Sequence, residues 1–377
     1  MKILITGAKG FVGKNLIAEL HNQGFNDLLE FDVDTPSDLL DDFASNCEFV
    51  FHLAGVNRPK EPSEFMSGNF AFTSQLLQNL QKNNNKAPIL ITSSTQAALA
   101  NPYGQSKKAG EDLIYGYGKE NNVKVYVYRL PNVFGKWCRP NYNSAIATFC
   151  NNIANGLPVQ VNDPNVLMNL VYIDDVVASF IDKLKNRNSG ADEFETVEPV
   201  HEIKLGEIAD LIYSFKASRE NLMIPDLSDA FTKKLYSTYL SYLPEDHFSY
   251  LLKMNIDNRG SFTEFVKTVD RGQVSVNISK PGITKGNHWH HTKVEKFLVV
   301  SGIGVIRFRK IDNGLQTTDK KEKVIEYFVS GEKLEVVDIP VGYTHNIENI
   351  GESDMVTIMW CNEVFDAESP DTYFEVV

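Results

Sequence analysis

Three groups of residues in this chain have the types and spacings of working chemistry. His288-x-His290, Glu295 and the distant His345 offer three imidazoles and one carboxylate. That is the donor set a borderline divalent ion prefers. His288 and His290 are two apart, so a strand would point both to one face, while His291 reads as a surface residue. Tyr103 and Lys107 are four apart and share one helix face. An ammonium there would lower the phenol's pKa and make it a proton donor usable near neutral pH. Ser94, or less readily Thr95, ends an apolar run just upstream, where a hydroxyl could polarise a carbonyl beside Tyr103. Finally, Gly7, Gly10 and Gly13 sit in TGAKGFVG (6–13). Such glycines permit a tight turn, close approach of the backbone to a pyrophosphate, and a helix N-terminus aimed at the phosphates.

These residues need elements to hold them. ILIT (3–6), FVFHLAG (49–55), PILITSS (88–94) and VKVYVYRL (123–130) read as buried strands, and FVGKNLIAELHNQG (11–24) and QSKKAGEDLIYGYGKEN (105–121) as helices. Alternation of this kind predicts a parallel sheet with helices on both faces. After about Ser249 the texture changes. SFTEFVKT, GQVSVNIS, KFLVVSG, GVIRFRKI, VIEYFVSG, LEVVDIP and MVTIMWC are short, β-branched or aromatic, and separated by turn residues. They predict an antiparallel sandwich or barrel. The stretch 200–248 is helical in pattern and joins the parts. QKNNNK (81–86) and KNRNSG (185–190) read as polar loop tips.

A chain of 377 residues exceeds what one core usually supports, so two domains are expected, at 1–245 and 252–377. The net charge of −12 argues against general nucleic-acid or anionic-membrane binding, although a local Lys or Arg cluster could still hold an anionic small substrate. The four cysteines are far apart without a CxxC pairing, so neither a disulfide framework nor a thiolate metal site is indicated. The opening MKILITGAKG runs straight into a strand with no apolar signal core, and no apolar run is long enough to span a bilayer. The expected location is the cytoplasm.

The glycine turn, HLAG (52–55), Ser94, Tyr103-x-x-x-Lys107, RLPNVFG (129–135) and VYIDDVV (171–177) together resemble the extended short-chain dehydrogenase/reductase family. The resemblance covers roughly 1–245. It implies Ser94, Tyr103 and Lys107 as catalytic residues. It also implies a nicotinamide cofactor held by Gly7, Lys9, Gly10, Phe11, Val12, Gly13, Asp32, Leu53, Ala54 and Gly55, with Tyr103 and Lys107. Asn132 would then lie near a nucleotide-linked sugar, with Lys136 and Arg139 at its diphosphate. Asp32 closes the second strand pattern, where a carboxylate bonds a ribose 2′-hydroxyl and repels a 2′-phosphate. Lys9 pulls the other way, so these residues alone do not choose between NAD and NADP. Downstream, His288, His290, Glu295 and His345, set among Gly282, Gly302 and Pro340-x-Gly342, resemble the two motifs of the cupin superfamily. DNRGSFTEF (257–265) and PVGYTHNIEN (340–349) also resemble the deoxysugar 3,5-epimerase branch, which uses a histidine base at the His288 position and no metal. Glu295 stands where that branch has a lysine, which favours a metal here. His288 is thus a ligand, a base, or both in turn.

The fold expected is an α/β doubly wound parallel sheet followed by an all-β cupin barrel. One substrate unites the halves. In a 4-keto sugar the C3 proton is acidic, a divalent ion stabilises the enolate, and hydride delivered to the C4 carbonyl then gives the alcohol. The order is forced, because after reduction the C3 proton is no longer acidic. The two halves in this sequence resemble bifunctional capsular-polysaccharide enzymes. That resemblance implies zinc, NADPH, a homodimer and a UDP-linked 4-keto-6-deoxy amino sugar as substrate. The implied product is UDP-2-acetamido-2,6-dideoxy-β-L-talose, on the route to N-acetyl-L-fucosamine. Two other readings stay open: a single-activity ketosugar reductase whose cupin binds sugar or dimerises, and a cupin that binds iron(II) for oxygen chemistry.

Overall fold

The computed structural model describes residues 1–57, 61, 63–186, 193–311 and 323–377. Positions 187–190 of the second polar tip lie outside the described residues. Cα proximity divides the chain into two units, 1–213 with 229–244, and 214–228 with 245–377.

In the first unit, β1 (Ile3–Thr6), β2 (Leu28–Phe31), β3 (Phe49–His52), β4 (Ile89–Ser94) and β5 (Val125–Leu130) form one sheet in the order β2-β1-β3-β4-β5. Every pair is parallel. Both faces are covered, so alternate residues enter different cores. Ile3, Ile5, Phe49, Phe51, Tyr126 and Tyr128 pack with Leu16 and Leu20 of the helix Phe11–Asn22 and Phe180 of the helix Ile173–Asn186. Leu4, Val50, Ile89, Ile91 and Val127 pack with Leu76 and Leu80 of the helix Phe72–Lys82 and Ile114 of the helix Pro102–Asn121. Burial on both faces is why these strands read as continuous apolar runs. The strand order reverses between β1 and β3, the place where open α/β sheets bind ligands beyond the strand ends. The long helix starts at Pro102, three residues before the sequence pattern suggests. Asn101 caps it by accepting from the Gly104 N–H at 2.7 Å, and proline suits the first helical position. A smaller sheet joins Asn132–Phe134, Leu167–Tyr172 and His201–Lys204.

The second unit is all antiparallel. Its two sheets run 336–339, 295–301, 355–361, 272–279, 260–268, 254–257, and 325–330, 303–310, 343–349, 284–289, 373–374. This is a cupin-like double-sheet architecture. Phe297, Val299, Ile306, Phe308, Ile339 and Ile347 fill the interior on one side. Further along the first of these sheets the buried residues turn polar: Gln273, Ser275, Asn277 and Ser279 alternate along the strand 272–279, each at most 5% exposed.

Candidate active sites

The glycine turn follows β1. Gly7 has φ +71°, and a Cβ there would lie 2.7 Å from the Ala54 nitrogen. A Cβ on Gly13 would lie 2.3 Å from the Gly7 carbonyl oxygen. The first position therefore needs glycine because Leu53 and Ala54 cross it, the second because helix and turn touch. Gly10 caps the helix without a side-chain bond, and the first turn holds no acid, so its N–H groups are open to an anion. Asp32 is engaged with the turn itself: its carboxylate accepts from the Lys9 N–H at 2.7 Å and the Val33 N–H at 2.8 Å. The Lys9 ammonium pairs with Asp34, a partner that no sequence pattern singles out. That pairing raises the Lys9 pKa.

Beyond β3, buried His52 is held between Thr6 (2.7 Å) and Thr73 (2.8 Å). Burial pushes it down to about 3, so it is neutral. A Cβ on Gly55 would sit 3.0 Å from the Lys107 Nζ, which places that ammonium against the Leu53-Ala54-Gly55 segment. Lys107 donates to the Thr92 carbonyl at 3.2 Å and is pushed down to about 8 by burial, with Glu111 opposing. Its Nζ is 5.9 Å from the Tyr103 ring centre.

The expected lowering of the phenol by Lys107 is not found. Burial raises the Tyr103 pKa, and what counters it is the Ser94 side chain. Ser93, the neighbour, is occupied at 2.6 Å by buried Glu111, which also binds Arg129 through two nitrogens at 2.9 and 2.6 Å. Thr95 is exposed and begins a 3₁₀ turn. Ser94, Tyr103 and Lys107 thus meet at the ends of β4 and the long helix. Asn132 is exposed at the start of its strand. Lys136 is committed to Asp174 at 2.5 Å, and Arg139 lies over the Tyr142 ring at 5.4 Å.

In the second unit, His288, His290, Glu295 and His345 each offer one ligand atom, all within 4.8 Å of one another. His288 is the penultimate residue of the strand Thr284–Trp289 and pairs in register with His345, after a bulge at Asn287 (φ +59°). His290 and His345 are buried, at 2% and 1% exposure. His290 Nδ1 donates to the Asp371 carbonyl at 2.5 Å, which leaves Nε2 with its lone pair inward. The Asp371 carboxylate accepts from the backbone N–H groups of His291, Thr292 and Lys293 and so fixes the loop. His291 is exposed and packs on Trp289 and Tyr373, outside the cluster. Burial pushes His288 down to about 4, with His345 adding to it. Burial would raise Glu295, yet the His290 and His345 imidazoles beside its carboxylate, with the Lys293 ammonium, hold it well below the usual carboxylate range.

The residues present fit a divalent ion. Both ring nitrogens of buried His345 lack a hydrogen-bond partner, although Nε2 is 3.2 Å from the Glu295 carboxylate. Such a nitrogen is costly unless something else satisfies it. Asp371 is a residue that sequence reasoning missed: it acts on His290 through its backbone carbonyl, which leaves no local pattern.

Comparison with known proteins bears on both units. Residues 3–195 match the model of the NAD dependent epimerase/dehydratase family, and 255–373 that of the polysaccharide biosynthesis C-terminal domain. The chain is 46% identical, over 99% of its length and 98% of the relative's, to a UDP-2-acetamido-2,6-beta-L-arabino-hexul-4-ose reductase of Pseudomonas aeruginosa. It is similar over 100% of both chains to the crystal structure of the capsular polysaccharide assembling protein CapF from Staphylococcus aureus, with TM-score 0.92 and 55% identity. A UDP-glucose 4-epimerase of Thermotoga maritima shares the fold over 64% of this chain and 98% of its own, with TM-score 0.54 and 19% identity. Among the described residues, no helix is long and apolar enough to cross a membrane.

Proposed function

The chain belongs to the NAD dependent epimerase/dehydratase family, and from that premise we propose that it is a bifunctional nucleotide-sugar enzyme of surface-polysaccharide synthesis. The substrate is a UDP-2-acetamido-2,6-dideoxy-4-ketohexose, first inverted at C3 in the second unit and then reduced at C4 in the first. The product is the β-L-talose-configured alcohol, made in the cytoplasm by a homodimer. Along the sequence the proposed domains are 1–245 and 252–377, with 214–228 grouping with the second.

The observation that carries the two-step reading is the four-residue cluster around His345, with a row of buried polar residues in the same unit. A divalent ion there, zinc by its donor set, would supply Lewis acidity to the C4 carbonyl oxygen. His290, Glu295 and His345 would hold it. His288, a more exposed imidazole than His290 or His345, would serve as the base for the C3 proton, which its neutral state permits.

NADPH, when bound in the first unit, would supply the hydride for C4. Ser94 polarises the carbonyl, and the Tyr103 O–H delivers its proton to the oxygen, leaving the phenolate. Lys107 stands by to balance that charge. The choice of NADPH rests on the resemblance to bifunctional capsular-polysaccharide enzymes. Similarity to the keto-sugar reductase supports the substrate class.

Tyr103→Phe tests the separation of the two sites. NADPH oxidation should fall by about 10²–10⁴-fold, while deuterium exchange at C3 in D2O continues. Loss of both in a folded variant would overturn the two-site reading. If exchange never occurs in the unaltered protein, the second unit is a binding module.

A further inference from the structure

We propose that Asn57 is a positioning residue for the proton donor: its side-chain carbonyl stands in for the substrate's carbonyl and holds the Tyr103 O–H on line until substrate displaces it. The inference rests on the reductase reading above and adds a residue to it.

The Tyr103 hydroxyl donates to Asn57 Oδ1 at 2.9 Å. This contact is built into the site. Val56, the preceding residue, is clamped at both backbone groups by one buried side chain. Asn69 Oδ1 accepts from the Val56 N–H at 2.8 Å, and Asn69 Nδ2 donates to the Val56 carbonyl at 3.1 Å. The same Nδ2 donates to Ser106 Oγ at 3.0 Å, and Ser106 Oγ donates to the Tyr103 carbonyl at 2.8 Å. Asn69 therefore ties the segment bearing Asn57 to the helix bearing Tyr103. The Phe65 ring lies 5.5 Å from the Tyr103 ring and limits its swing.

An sp² oxygen 2.9 Å from the phenol occupies the place that the C4 carbonyl oxygen must take to receive the proton. Asn57 is exposed and linked to its segment by rotatable bonds, so it can yield that place. Until then the phenol remains a donor and does not turn toward the other groups around it, the Ser94 hydroxyl and the Lys107 ammonium.

The test is the pH dependence of kcat/KM for the full-length protein with NADPH and the UDP-linked 4-keto-6-deoxy amino sugar. A bond to the neutral phenol favours the protonated form. Asn57→Ala should therefore move the basic limb, set jointly by Tyr103 and Lys107, to lower pH by about half a unit or more. Asn57→Asp, which still accepts and adds a negative charge, should move it to higher pH. NADPH affinity should stay within twofold in both, and Asn57→Ser replaces the alanine variant if that one fails to bind NADPH. Limbs that coincide with the unaltered protein's, or that shift in the same direction, would overturn the assignment. No turnover by the unaltered protein would instead refute the reductase reading.

Discussion

Glu295 is the one carboxylate in the candidate metal cluster, and two imidazoles lean on it. Removing it takes away a ligand and leaves His290 and His345 buried with less to satisfy them. Purified protein should carry close to one divalent ion per chain by elemental analysis. Glu295→Ala and His290→Ala should carry less than about a tenth of that and melt several degrees lower, because ligand binding is folding energy. An ion-free but active unaltered protein would sink the assignment. The four residues were legible in the sequence because ligand chemistry depends on side-chain type, and their spacing survives in a linear reading. Asp371 was not: it serves His290 through a carbonyl 81 positions away. The electrostatics of Tyr103 were misread for a related reason. A spacing of four brings Lys107 onto the same face, but only the fold sets how deeply the phenol is buried, and burial wins.

Among the elements, the glycine turn makes the sharpest demand. The helix Phe11–Asn22 approaches so closely that a methyl on Gly13 would overlap the Gly7 and Ala8 carbonyl oxygens, at 2.3 and 2.6 Å. Gly13→Ala must push the helix start away from the turn and from whatever anion its N–H groups hold. NADPH affinity, followed by the quenching or enhancement of cofactor fluorescence, should drop about a hundredfold, ~2.7 kcal/mol. Metal content should not change. An affinity within threefold of the unaltered protein would show that the turn does not hold the cofactor. Apolar strands were easy to read from sequence because both their faces are buried. The seven β-rich runs of the second half are all strands. The strands that carry or flank ligands, TKGNHW (284–289) and YTHNIEN (343–349), were harder. Their polar residues serve the site, and Asn287 interrupts the alternation with a left-handed backbone.

For the molecule as a whole, the proposed separation of two chemistries predicts separate losses. Stripping the ion with a chelator should abolish C3 exchange and leave NADPH binding within twofold; loss of NADPH binding on chelation would argue against two independent sites. The division of the chain is less simple than the division of labour. Residues 214–228 cluster with the second unit, whereas 229–244 return to the first. Ile224 donates to the Lys267 carbonyl at 2.8 Å, and Lys267 donates back to Leu222 at 2.9 Å. Further on, the Tyr242 hydroxyl donates to the Cys138 carbonyl at 2.5 Å. A sequence reading that assigned 200–248 to one helical connection saw the helices Leu205–Asn221 and Ala230–Leu240 but not this alternation, since amphipathic periodicity does not say which core a face will join.

The polypeptide crosses from one unit to the other at 213, at 228 and again at 244. At the level of the gene, no single breakpoint yields two reading frames that each encode a whole unit. A cut after codon 248 leaves residues 214–228 without their Lys267 partner, and a cut after codon 213 strips the first unit of 229–244. A tail taken alone would divide the backbone bonds of Leu222 and Ile224 with Lys267 between two molecules. The threading of the backbone thus joins both units in one uninterrupted chain.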